Sequence, residues 1–327
     1  MDDFQYGRWI NGSTNCGLKA LYSHQKGPTN DWANYCWQPH KCIAPPFSIK
    51  EFCGKLKGKT VLFAGDSLLY QMFLATIYQV ENRTVEVIKQ IQDSKDAMPL
   101  NKICDDTVSL SFMRSDRLTL ELVDTPRDIT KPLCAGQFIC NARWIGALPN
   151  IDILVLNKGH HLREVSEEQF LQDSFTAAEY IGNYTKSGLS NRKGRQALQV
   201  YFVTTSPGHP FCSGHSEPNL YPYTSANGSS NLMNYEATLN DPRYEMYYKH
   251  HFWHRYGVHD EYQKRIFRTY SNATIIDVAP MSALRPDGHR FATDLELQKN
   301  PTASDCLHYH EPGPVDNWVK LFFNLLS

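Results

Sequence analysis

The chain lacks several features that would each fix its class at once. No window of its 327 residues approaches the ~18 apolar residues of a membrane-spanning helix. No field of one sign exists: 33 basic and 34 acidic residues leave a formal net charge of −1, which argues against a nucleic-acid partner. No Cys-x-x-Cys and no His-Glu-x-x-His occurs, so no paired zinc pattern or zinc-protease helix is written here. Internal repeats and low-complexity tracts are absent as well. Met1-Asp2-Asp3 lacks the basic-then-apolar pattern of a secretory leader.

What is present points to an oxidising compartment. Nine widely spaced cysteines (Cys16, Cys36, Cys42, Cys53, Cys104, Cys134, Cys140, Cys212 and Cys306) read as a disulfide framework, with the odd count leaving at least one outside it. Five Asn-x-Ser/Thr sequons, at Asn11, Asn82, Asn183, Asn227 and Asn272, agree. A targeting segment is therefore expected upstream, and the chain is expected to be the lumenal part of a longer protein. Any membrane attachment would run through that missing segment. Aromatics make up 12% of the chain, many in polar, loop-like stretches, where they serve either to stack on sugar rings or to pack long loops.

Residues 1–55, rich in Gly, Asn, Trp, Tyr and Cys, predict an irregular, disulfide-pinned wrap packed on a catalytic domain over 56–327. Continuous apolar runs predict buried strands at 59–64, 151–156, 197–204 and 274–278. Helical spacing follows at Leu68–Tyr78, 165–183, 259–270 and 315–326. Val108–Met113 and Leu118–Val123 alternate as an antiparallel pair about Ser115-Asp116-Arg117. Strands alternating with helices predict an α/β fold with a mostly parallel sheet covered on both faces.

Gly65-Asp66-Ser67 falls on the first strand-to-helix turn, where α/β sheets bind ligands. A helix N-terminus stabilises negative charge, and a tight Gly65 turn exposes a hydroxyl. Acyl transfer needs both at its nucleophile. The plainer alternative is a capped helix start, and capping is the role expected of Asp66. A Ser nucleophile requires a base. Asp305-Cys306-Leu307-His308, in the Pro/Gly-rich loop before the last helix, supplies one: a carboxylate three residues from an imidazole can orient the ring and leave its far nitrogen for the Ser67 proton.

Six ordered blocks resemble the trichome-birefringence-like, or PC-esterase, family of the SGNH/GDSL hydrolases. They are Trp37-Gln38-Pro39 with Cys42; Gly65-Asp66-Ser67-Leu68; Asn157-Lys158-Gly159-His160; Ser206-Pro207-Gly208-His209 with Cys212; Arg285-Pro286-Asp287-Gly288-His289; and Asp305-Cys306-Leu307-His308. Two departures stand out. Tyr309 and His310 replace that family's Trp and Cys, so one of its disulfides is expected to be absent or rerouted. Leu69, Tyr70 and Gln71 replace its usual Asn and Arg before Gln.

The resemblance implies an SGNH-hydrolase-like three-layer α/β/α sandwich and a polysaccharide O-acetyltransferase of the Golgi lumen or a secreted one. Ser67 would be the nucleophile, His308 the general base and Asp305 its orienting carboxylate. No bound cofactor or metal is expected; an acetyl donor such as acetyl-CoA and a polysaccharide or oligosaccharide acceptor are. Asn157 would donate to the oxyanion, with Gly65 and His160 completing the substrate-binding edge. His161, His209 and His289 are further cleft candidates or ordinary packing histidines. A disulfide from Cys306 to Cys42 or Cys36 would tether the His308 loop. Three alternatives accompany this reading: a carbohydrate acetylesterase using the same triad, a glycan-binding protein without catalysis, and a metal-dependent deacetylase built on His250, His251 and His254. Trp253 and Tyr256 are candidate sugar-stacking residues.

Overall fold

A computed structural model describes residues 7–11, 35–40, 47–81, 100–120, 133–135, 139–141, 144–159, 161, 165–187, 196–209, 212, 218, 255–290, 305–311 and 313–326. In chain order its strands are β1 (Gly7–Asn11), β2 (Tyr35–Pro39), β3 (Thr60–Gly65), β4 (Asn101–Ile103), β5 (Val108–Arg114), β6 (Leu133–Ala135), β7 (Ile139–Asn141), β8 (Ile153–Asn157), β9 (Gln199–Val203), β10 (Thr274–Ile276), β11 (His289–Arg290) and β12 (Asp305–Tyr309). Its helices are α1 (Ile49–Leu56), α2 (Ser67–Glu81), α3 (Glu167–Ser187), α4 (Tyr256–Ser271), α5 (Ala279–Ser282) and α6 (Pro314–Leu325). The chain forms two compact units. One comprises Ser48–Thr205, Val258–Ile276 and Leu325–Ser327; the other comprises Met1–Phe47, Ser206–Gly257 and Asp277–Asn324.

The first unit is a six-stranded sheet in the order β10-β9-β8-β3-β5-β4. All pairings are parallel except β4 with β5. Continuous apolar runs become the inner strands because both faces are covered. On one face Leu62, Ala64, Leu154, Leu156, Val200 and Phe202 pack against Ala177, Ala178 and Ile181 of α3 and Phe267 of α4. Phe202 and Phe267 stack at 4.1 Å. On the other face Phe63 meets Phe73 of α2 at 5.7 Å, and Tyr70 meets Phe112 at 4.9 Å. The result is the three-layer α/β/α arrangement of an SGNH-like fold.

One expected pairing is corrected. The antiparallel partner of 108–113 is the upstream strand β4, not 118–123. β5 already has β3 on one edge and β4 on the other, so no edge remains for a downstream strand. Leu118–Leu120 form no strand, and 121–123 lie outside the described residues. The β4–β5 turn places Cys104, Asp105 and Asp106 all at positive φ (56°, 53° and 62°), a run that non-glycine residues adopt only under constraint. The constraints are visible. Cys104 is disulfide-bonded to Cys53 of α1, its N–H donates to Glu81 Oε1 at 2.6 Å, and Gly58 N–H donates to the Thr107 carbonyl at 2.8 Å.

In the second unit β1 and β2 pair antiparallel from Gly7↔Pro39 to Asn11↔Tyr35. The described part of the amino-terminal segment thus includes regular structure; helix α1, of the first unit, comes next in the chain, with Ser48 as N-cap accepting from Glu51 N–H. The Trp9 indole N–H donates to the Met281 carbonyl at 2.8 Å. Arg285, fully buried, lies over the Trp9 ring at 4.4 Å and grips Asp287 in two parallel bonds of 2.8 and 2.9 Å. No helix among the described residues is long and apolar enough to cross a membrane.

The Cys53–Cys104 bond closes a separation of 51 residues. Replacing both cysteines by Ala is expected to cost about 2–4 kcal/mol of unfolding free energy, read from urea melts. An unchanged midpoint would show that the left-handed turn holds itself.

Candidate active site

The connections around β3 and β8 place a crevice before any residue identity is considered. From β3 the chain passes through α2 on one face of the sheet to reach β5. From β8 it passes through α3 on the opposite face to reach β9. The two strands are neighbours whose exits diverge, so their carboxyl ends border the switch point where open α/β sheets bind ligands. Those ends are Gly65-Asp66-Ser67 and Asn157-Lys158-Gly159.

Asp66 and Asn157 interlock there. Asp66 N–H donates to Asn157 Oδ1 at 2.9 Å, and Asn157 Nδ2 donates to Asp66 Oδ1 at 2.8 Å. The same Asp66 oxygen caps α2, accepting from Leu68 N–H at 2.9 Å and Leu69 N–H at 3.3 Å. Both residues are 2% exposed. The flanking glycines are required by space: a Cβ on Gly65 would lie 1.9 Å from Asn157 Oδ1, and one on Gly159 would lie 2.1 Å from Asp66 Oδ2. Asp66 is thus the helix cap. Ser67, the first residue of α2, is the one partly exposed residue between Val61 and Leu69.

Lys158 turns the other way. Its amine donates to the Phe170 carbonyl at 2.6 Å, lies over that ring at 4.4 Å and reaches Asp173 at 3.6 Å. Burial lowers it to about 7 against the opposing pull of Asp173. Beside the crevice, Asp116 is buried and accepts from Arg114 Nε at 3.1 Å, with His161 Nε2 at 3.8 Å. His160 lies outside the described residues, as do His250, His251, Trp253 and His254. Tyr256 opens α4 as a buried residue.

Asp305 and His308 are brought together in the second unit, on a short strand rather than in a loop. β12 pairs antiparallel with β11, but its register jumps: Asp305 faces Arg290 while Tyr309 faces His289. Residues 306–308 therefore bulge. In a regular strand residues three apart point to opposite faces; the bulge turns His308 back toward Asp305. His308 Nδ1 lies 2.8 Å from Asp305 Oδ2, while Asp305 Oδ1 accepts from His308 N–H at 3.0 Å and Leu307 N–H at 3.2 Å. Burial alone would raise the Asp305 carboxyl. The His308 ring, through its hydrogen bond and charge, and the two N–H groups outweigh burial and hold it at about 2. With Nδ1–H committed to Asp305, a neutral His308 carries its lone pair on Nε2, the arrangement of a general base.

The expected tether is corrected. Cys306 bonds to Cys212, not to Cys42 or Cys36. His209 N–H donates to the Cys306 carbonyl at 2.9 Å and Cys212 N–H to the His209 carbonyl at 3.1 Å, which sets Cys212 beside β12. Cys36 is itself disulfide-bonded. His209 and His289, expected as cleft candidates or ordinary packing histidines, are in contact with each other, Nδ1 to Nε2, at 2.6 Å.

With this geometry in view, comparison with known proteins decides the family. The model of the PC-esterase family, described as the GDSL/SGNH-like acyl-esterase family found in Pmr5 and Cas1p, matches residues 44–325. The chain belongs to the PC-esterase family. Among its relatives is Protein trichome birefringence-like 25 of Arabidopsis thaliana, 25% identical over 373 residues and covering 99% of this chain and 76% of its own. Protein trichome birefringence-like 26 from the same plant is 26% identical over 340 residues, covering 95% of this chain and 70% of its own. PC-esterase membership supports an activity of the acyl-esterase or acetyltransferase type.

The Asp305–His308 geometry carries a pH signature. The unfolded carboxyl takes a proton near 3.8, whereas the folded one resists to about 2. Between those values the unfolded chain binds more protons, so the pair's stabilisation is full above 3.8 and is lost as pH falls toward 2. Asp305 is 40% exposed, and solvent screening keeps the contribution to about 1 kcal/mol or less. The urea midpoint of the wild type is expected to fall more steeply through that window than that of Asp305→Asn. Equal slopes would refute the clamp.

Proposed function

We propose that this protein transfers an acetyl group to a sugar hydroxyl of a polysaccharide through an acyl-serine, with Ser67 as nucleophile, His308 as general base and Asp305 as the carboxylate that orients it. The observation that carries the reading is the Asp305–His308 pair, whose 2.8 Å bond to Nδ1 reserves Nε2 for proton transfer. Ser67 supports it by being partly exposed at the start of α2, where the helix dipole favours developing negative charge.

On this reading His308 Nε2 accepts the Ser67 hydroxyl proton as Oγ attacks the acetyl carbonyl. The tetrahedral oxyanion collapses, and the donor's leaving group departs with the proton from His308. An acceptor hydroxyl then gives its proton to His308 and attacks acetyl-Ser67. Collapse of the second oxyanion releases the acetylated sugar, and the proton returns to Ser67. Acetyl-CoA is the simplest donor of this kind. The Ser67 N–H and the second hydrogen of the Asn157 amide are the proposed oxyanion donors; losing one such donor costs about 2.7–4 kcal/mol of transition-state stabilisation. Water in place of the sugar makes the same site an acetylesterase, and the family's description as acyl-esterases favours keeping that reading second. The disulfides Cys53–Cys104 and Cys212–Cys306 support an oxidising lumen, Golgi or extracellular, as the place of work.

Intact-mass measurement after exposure to an activated acetyl ester is expected to show one acetyl adduct in the wild type and none in Ser67→Ala. His308→Ala is expected to slow ester turnover by at least about a thousandfold. Oligosaccharide acceptors should divert acetyl from acetate to sugar. Acetate release that no acceptor lowers would reject the transferase in favour of the esterase, and an adduct persisting in Ser67→Ala would reject both.

A further inference from the structure

His209 and His289 form a partly buried contact that the triad chemistry leaves unused. His289 is wholly buried. The two rings close a chain of three short contacts: His209 Nε2 to the Ala283 carbonyl at 3.0 Å, His209 Nδ1 to His289 Nε2 at 2.6 Å, and His289 Nδ1 to the His308 carbonyl at 3.0 Å. The last partner is the backbone of the residue whose ring meets Asp305.

Proton counting restricts what this chain can do. A carbonyl only accepts, so three hydrogen bonds need three protons, while two neutral imidazoles carry two. A neutral pair therefore leaves one end of the chain without a proton. If His289 is protonated on Nδ1, the His308 carbonyl is held, the middle proton belongs to His209 Nδ1, and the Ala283 end lacks one. If His289 is protonated on Nε2, the Ala283 end is satisfied and the His308 carbonyl is not. Asp305 favours the first arrangement: it is bonded to His308, and its negative charge draws protons toward that end.

The ring is also aimed. His289 stacks on Tyr309 at 4.3 Å, and the Tyr309 hydroxyl is fixed 2.8 Å from Ser206 Oγ. We propose that His289, backed by His209, is a positioning residue for His308: its Nδ1–H holds the His308 carbonyl and so fixes the bulge that turns the His308 ring onto Asp305. The inference rests on the proposed triad. It adds a donor on the paired strand β11 that sets the orientation of the base.

The surroundings define how the pair titrates. Burial first, then the His209 ring, pushes His289 well below its ordinary value; the bond to the His308 carbonyl and Asp305 oppose this, and His308 adds to it. Tyr309 is pushed up by burial and stays a neutral hydroxyl, and Arg285 is closed onto Asp287. Burial thus favours the neutral form of His289.

Asn and Gln separate the roles of the two ring nitrogens, because an Asn amide nitrogen sits near the place of Nδ1 and a Gln amide nitrogen near that of Nε2. With the full chain and p-nitrophenyl acetate as probe, His289→Ala and His289→Gln are expected to lower kcat by about 10–100-fold with KM unchanged, the scale of a misplaced catalytic group. His289→Asn is expected to recover most of kcat. Nitrogen-15 spectra of the wild type at neutral pH should show the His289 proton on Nδ1. Rescue by Gln rather than Asn, full activity in His289→Ala, or an Nε2-protonated His289 would each overturn the proposal. The spectrum decides even where a variant fails to fold. His308→Ala in the same assay separates the two levels: activity there would refute the triad itself, whereas an inactive His308→Ala beside a fully active His289→Ala would refute only the positioning role.

Discussion

A carboxylate with 2% exposure must find donors on every side, and Asp66 finds them in two elements at once. Its Oδ1 closes the N-terminus of α2 and also accepts from Asn157 at the end of β8, while its own N–H returns a bond to Asn157. One side chain thereby ties a helix start to a neighbouring strand end. The tie excludes any Cβ at Gly65 and Gly159, which makes four residues on two strand ends a single steric unit. Ser67 inherits its place from that unit. It cannot shift along the sheet edge without breaking bonds that a buried charge cannot replace from water.

The second unit fixes its own side chain by different means. Here the His308 segment is held by strand irregularity. The bulge in β12 frees N–H groups that a regular ladder would use on β11, and Asp305 Oδ1 takes two of them. The carbonyls turned out by the same bulge are met from outside the strand, Cys306 by His209 N–H and His308 by the His289 ring. The Cys212–Cys306 bond keeps the two segments from separating.

The inner strands and the long helices were legible because apolar runs and helical spacing are properties of contiguous residues. Thr60–Gly65, Ile153–Asn157 and Gln199–Val203 lie within a residue or two of the predicted spans. The capping of α2 by Asp66 was legible too, as chemistry local to one turn. What failed was non-local. The partner of β5 depends on which edges its neighbours have already taken, and nothing within Leu118–Val123 announces that. The Cys306 partner depends on which segment lies alongside β12. His209 and His289 were visible as motif residues, but 80 positions separate them, and only the fold reveals that they share a hydrogen bond. The bulge at 306–308 had no signal of its own, since no Gly marks it.

Asp66 and Asp305 use their carboxylates differently. Asp66 spends Oδ1 on three donors, two of them backbone N–H groups of the α2 start and the third the Asn157 amide. Asp305 divides its oxygens instead, Oδ1 to backbone N–H groups and Oδ2 to the ring, and that division lets the backbone orient the carboxylate while the carboxylate orients the ring. The same reasoning bears on Asn157. An oxyanion donor contributes only if its direction is set before the charge appears. The Asn157 amide is set by its two bonds to Asp66, so any donation by its second hydrogen depends on Asp66. On the acyl-transfer reading, Asp66 would then influence the chemistry through orientation alone, acting on Ser67 along the chain and on Asn157 across the sheet.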